Sequence, residues 1–213
     1  MILQKPDGTV WELVKGDVKL ALRGTLPGAR VFDLAAAGLR RARAAGLSPL
    51  DRLPLALPAS WCVNSPADSR VMRRWTLSPQ REVWAALVEL FEEPRSGPVD
   101  ADARDALMTA LPVIAPEPRG VEAVSKVLAL LVPEAVPLLP RPAVTFLLGA
   151  DAAHDATAFV AAVDWFGAAV VQARELLAGW ASGYADAPLD AAQVLDRLLW
   201  FDSEGHRHFP PVA

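Results

Sequence analysis

The sequence predicts a mainly α-helical protein: a compact multi-helix domain with a small β-hairpin at its N-terminal end. Three observations carry that expectation. Apolar residues recur at three- and four-residue spacing through most of the chain beyond residue 33. Prolines and glycines gather between those stretches. Only residues 9–23 alternate with a period of two. The 213 residues are 53% hydrophobic with a mean hydropathy of +0.24, far too apolar for a disordered chain. A single cysteine excludes a disulfide scaffold or a thiolate-built zinc site within one chain. A net charge of −4 removes the simplest argument for non-specific nucleic-acid binding, although a local basic patch is compatible with it.

Element by element, residues 9–14 and 18–23 read as two strands joined at Lys15-Gly16-Asp17, with Pro27-Gly28 marking the next turn. Asp33 is placed as the N-cap of a helix over 34–45 that Gly46 ends. Residues 46–77 carry Pro49, Pro54, Pro58, Asn64 and Pro66 and read as a long connection, part of which packs through Trp61, Cys62 and Val63. Ser78-Pro79 opens a helix whose Trp84, Leu87, Val88 and Phe91 share one face, closed by Pro94 and Gly97-Pro98. Further helices are expected over 102–111, 121–132, 143–148, 155–180 and 190–200, with a proline-rich turn at 112–118. The domain organisation is one compact unit: a β-containing element over 1–32 and a helical domain over 33–213, with 94–99 the candidate internal boundary.

Compartment follows from similar reasoning. The first eight residues lack the basic region and long apolar run of a signal peptide. The most apolar window, 156–173, is interrupted by Asp164 and Gln172 and reads as a buried helix, so no membrane partner is expected. A reducing cytoplasm is the expected location, with Cys62 an ordinary packed thiol.

Candidate chemistry is sparse. Asp202, Glu204, His206 and His208 gather potential metal ligands near the C-terminal end, and the two histidines would point the same way on an extended strand. Only His154 could add another imidazole. Asp164 lies in the most apolar helix and could be a buried acid. Its eleven-residue spacing from Glu175 puts both on one face, which favours a solvated stripe. Arg40, Arg41 and Arg43 form one basic cluster. Arg70, Arg73 and Arg74 form another, followed by Trp75, an arginine-plus-aromatic grouping suited to stacking on bases and neutralising phosphates. No G-x-S-x-G elbow, Walker loop, H-E-x-x-H or C-x-x-C occurs, so no catalytic residue is assigned and no cofactor is expected.

One stretch resembles a known group. Val124-Ser125-Lys126-Val127-Leu128-Ala129-Leu130-Leu131-Val132-Pro133, continuing through Pro137 to Phe146-Leu147-Leu148-Gly149, is similar to a segment of uncharacterised bacterial proteins. Those look like degenerate relatives of helix-hairpin-helix DNA glycosylases. In that group a helix with "SKVLHL" leads to "P-x-x-x-P-x-x-D" and then to a short helix ending in glycine. The resemblance covers residues 124–149 and implies an all-α fold. Where the group has an aspartate after the second proline, this chain has Pro140-Arg141, which implies that any base-excision chemistry resting on that carboxylate is absent.

The leading functional expectation is a non-catalytic cytoplasmic binding or accessory protein working through protein–protein contacts, with a partner protein or a second copy. The missing motifs and seven tryptophans motivate it, since tryptophan is a favoured interface anchor. One alternative is a nucleic-acid-binding or degenerate base-excision-like module using Arg70, Arg73, Arg74 and Trp75. Another is a metal-dependent enzyme built on Asp202, Glu204, His206 and His208.

Overall fold

The computed structural model describes residues 1–23, 27–60, 79–92, 99–115, 120–185 and 189–204. Two short strands, β1 (Ile2–Gln4) and β2 (Val10–Glu12), precede the helices. Among the described residues these are α1 (Lys15–Arg23), α2 (Pro27–Ala44), α3 (Pro49–Ser60), α4 (Gln80–Glu92), α5 (Ala101–Ile114), α6 (Gly120–Leu131), α7 (Arg141–Leu148), α8 (Ala156–Tyr184) and α9 (Ala191–Glu204). The protein is mainly α with a two-stranded antiparallel sheet at its N-terminal end, as the sequence predicts.

The hairpin is built from other residues than expected. Its register pairs Ile2 with Glu12, Leu3 with Trp11 and Gln4 with Val10, so Leu3 and Trp11 share the buried face. Lys5 N–H donates to the Thr9 carbonyl at 2.8 Å, and Gly8 takes φ +83°, a conformation that favours glycine. The Thr9 hydroxyl and backbone N–H both donate to Asp7, holding its carboxyl below the usual carboxylate range. Residues 15–23, expected as a turn at 15–17 followed by the second strand over 18–23, are helical. Leu20 decides between the two readings: it is exposed, whereas Val18, Ala21 and Leu22 are buried at helical spacing.

Proline placement explains the other differences. Pro27, expected in a turn, occupies the first position of α2, where its missing N–H costs nothing. Asp33 therefore lies inside that helix and pairs with Arg197 of α9 instead of capping. Gly46 ends the segment as expected, with φ +86° and the paired bonds Gly46 N to Arg43 O (2.9 Å) and Leu47 N to Ala42 O (3.0 Å). Much of the long connection expected after it is α3. Ser48 exchanges hydrogen bonds with Asp51 and Pro49 takes the first position, a strong start signal. Within α3, Pro54 cannot donate to the Leu50 carbonyl, and Arg81 of α4 supplies that bond at 3.0 Å. Residues 61–77, with Trp61, Cys62 and Val63, lie outside the described residues. In α5, capped by Asp100 through the Ala103 N–H at 2.8 Å, the helix continues past Pro112 to Ile114 instead of ending at 111.

The core forms around α6, which is buried along almost its whole length and packs against α2, α3 and α5. Behind it the chain crosses through residues 132–140 to α7. That crossing has no ladder partners of its own. Asp196 accepts from Leu138 N–H (2.8 Å), and the Ser125 hydroxyl accepts from Leu139 N–H (3.1 Å). The helix α8, capped by Asp155, packs on α9, α5, α7 and α1, and α4 packs on α5 across residues 93–98. By length and composition α8 is apolar enough to cross a membrane. Its first half contributes Phe159, Val163 and Phe166 to the core, in keeping with the buried helix read from the sequence.

The hairpin is fastened to the far end of the chain. The Trp11 indole N–H donates to Asp202 of α9 at 2.5 Å, and its ring meets Phe146 edge-on (5.4 Å) and Trp165 (6.0 Å). Trp165 donates to the Gln4 carbonyl (2.7 Å), while Lys5 donates to the Phe146 carbonyl (2.7 Å) and sits 4.3 Å above that ring.

Candidate functional site

The last turns of α2 carry the first basic cluster, and two of its members, Arg40 and Arg43, face carboxylates. Arg40 bonds Asp190 (2.7 Å) and Gln193 (3.0 Å) at the start of α9. Arg43 bridges the Glu92 carboxylate (3.3 Å), the Glu92 carbonyl (2.6 Å) and Glu134. Behind it Arg52 of α3, with only 1% of its side chain exposed, pairs with the same Glu92. Two guanidiniums thus share one carboxylate, and Glu134 completes a neutral set. Only Arg41 of this cluster is exposed.

These pairs form one wall of a cleft of about 620 Å³. Its floor is a single side of α8, made by Val163, Gly167, Val170, Arg174 and Ala178, whose spacings of three and four keep them aligned. Phe91 and Val99 close one part of it, and Asp190 to Ala192 another. Val171 on the floor's margin and Leu176 on α8 are both exposed. From about residue 171 onward, α8 buries little beyond Ala173 and Leu177.

The residues singled out from sequence separate. Asp164 is not part of a free solvated stripe. It accepts from Val99 N–H (2.9 Å) and Arg104 (2.7 Å), tying the start of α5 to α8. Glu175, on the same face, is exposed. Asp202 is turned inward to Trp11, Glu204 ends α9, and His206 and His208 lie outside the described residues. Among the described residues no three His, Cys, Asp or Glu side chains come together to hold a metal ion. Arg70, Arg73, Arg74 and Trp75 also lie outside. Of the five described tryptophans, Trp11 and Trp84 are buried, Trp165 and Trp180 pack against the core, and Trp200 is half-buried.

The buried environments of Lys126, His154 and Asp196 escaped the sequence reading. Lys126 of α6, 5% exposed, pairs with Glu122 one turn earlier at 2.9 Å. Nearby His154 is held below the ordinary histidine range, chiefly by burial and then by Arg141, and its Nε2 makes no hydrogen bond. Asp196 has its carboxyl pushed up to about 8, chiefly by burial, with the Leu138 N–H opposing and Asp190 adding to the rise. A signal for Asp196 was present: Ala192, Leu195 and Leu199 are its neighbours on one helical face, so it sits inside the apolar stripe.

Asp196 sets a pH dependence. In the folded protein the group keeps its proton up to about pH 8, whereas the unfolded chain loses it near 3.8. The folded state binds more protons in that window, so this contribution to stability declines as pH rises from about 4 to about 8. Asp196→Asn keeps the acceptor for Leu138 and removes the charge. Since the residue is half-buried and partly screened by water, the variant should gain about 1–2 kcal/mol at pH 8.5 and almost nothing at pH 4. Urea melts of both proteins across that range check it; a gain independent of pH would refute the assignment.

No family model, curated protein or solved structure matches the chain. The chemistry of the cleft itself carries the functional reading.

Proposed function

We propose that the chain is a non-catalytic helical binding protein that acts through protein–protein contacts at the α8 cleft. One observation carries this: the walls' charges are spent on one another, and the apolar side chains exposed along this side of α8, Val171 and Ala178, are left for a partner to meet. Burying such a strip is favourable at about 25 cal/mol per Å², and exposed apolar patches rimmed by polar groups mark interaction sites in other proteins. The reading assumes the reducing cytoplasm. Because Arg40 and Arg43 are turned to carboxylates, a nucleic-acid reading would rest on Arg70, Arg73, Arg74 and Trp75.

A photo-crosslinking residue placed at Val171 tests the proposal in the native host, with Met108, an exposed apolar residue of α5, as the comparison site. Position 171 should trap a discrete protein that position 108 does not. Identical adduct patterns at the two positions, or none, would count against the cleft.

A further inference from the structure

The accessible part of the cleft's floor runs along α8 from Gly167 to Ala178, about 16 Å at 1.5 Å per residue, or three helical turns, with Val163 and Val170 seated in the core beneath it. It is long, narrow and lined by side chains of a helix. That geometry discriminates between kinds of polypeptide. A strand added to an edge needs unpaired backbone N–H and C=O groups, whereas the α8 backbone is bonded internally along this stretch, and a polyproline segment needs an aromatic-lined groove, whereas the one aromatic residue of this lining, Phe91, is buried. A helical segment satisfies its own backbone and presents only side chains. Val171 and Ala178, two turns apart and both exposed, are the apolar side chains such a helix would pack on.

Charge sets the remaining condition. Of the charged residues lining the cleft, Arg43, Glu92, Glu134 and Asp190 are ion-paired. Arg174 alone has no ion-pair partner among the described residues, and it projects from the floor with its side chain exposed. A helix laid against this floor leaves Arg174 unmatched unless it brings a carboxylate.

We propose that the cleft receives an amphipathic α-helix of a partner protein, apolar along one stripe and carrying an acidic side chain that meets Arg174. This rests on the protein-contact reading above and specifies its partner.

Two 16-residue leucine/alanine amphipathic helical peptides test it. One carries a glutamate at the margin of the apolar stripe and the other a lysine there. By fluorescence anisotropy the glutamate peptide should bind at least about tenfold more tightly. Arg174→Glu should invert that order, and Val171→Asp should abolish both. Both substituted side chains are exposed, so unchanged far-ultraviolet circular dichroism and thermal melts should accompany these losses. Failure of both peptides at millimolar concentration, or a preference that Arg174→Glu leaves intact, would overturn the helical, acidic occupant. So would a Val171 crosslink mapped to an extended segment or to nucleic acid. A Val171 crosslink to protein alongside inert peptides would sink this inference and leave the contact reading standing.

Discussion

Glu92→Ala is expected to destabilise the protein by about 3–5 kcal/mol, while Arg52→Met costs about 1 kcal/mol or less. The asymmetry follows from how the three charges share one site. Removing Glu92 leaves Arg52, 1% exposed, with no carboxylate, and leaves two guanidiniums with Glu134, the partner of Arg43, as the single carboxylate of the set. Removing Arg52 leaves Glu92 paired with Arg43, and methionine fills the vacated space without a charge to desolvate. The Nη1 of Arg52 makes no hydrogen bond, so its burial is already costly. Urea denaturation with an unchanged m-value is the measurement. Equal losses in the two variants would show that Arg52 is needed for its own charge and not merely balanced by Glu92.

Trp11→Ala should remove about 3–5 kcal/mol from the docking of the hairpin, since the ring packs between Phe146 and Trp165 and its N–H is held by Asp202. A loss of that size on so small an element releases it locally before the helices melt. Amide exchange in residues 2–12 should therefore accelerate well beyond that in α6. Trp11→Phe keeps most of the ring contact and forfeits the hydrogen bond, a cost of about 1 kcal/mol. Uniform acceleration throughout the helices of Trp11→Ala would instead make the hairpin an integral part of the cooperative core.

The helical framework was legible because it depends on local periodicity. Trp84, Leu87, Val88 and Phe91 are buried as their spacing indicates, and Gly46 ends α2 because the next backbone step requires a positive φ. What failed depended on distant partners. Pro54 looked like a breaker because the rule concerns an isolated helix, and a side chain thirty-one residues away repairs the missing bond. Period two in residues 18–22 resembled a strand because Val18 and Leu22 also satisfy a four-residue helical step, and only the exposure of Leu20 separates the alternatives. The cleft was invisible for the same reason. Val163, Val170, Val171 and Ala178 are ordinary core-type residues in sequence, and nothing local states that the first two are buried while Val171 and Ala178 stay exposed.

The fastening of residues 1–12 to Phe146, Trp165 and Asp202 also imposes an order on synthesis. Trp11 leaves the ribosome 191 residues before its acceptor, which at about 5–20 residues per second is a wait of roughly 10–40 s. For most of that interval, until Phe146 and Trp165 have been made, Trp11 lacks the rings it packs on. This early segment is among the last to find its place, and a nascent chain stalled before Phe146 would carry it exposed to chaperones and proteases alike.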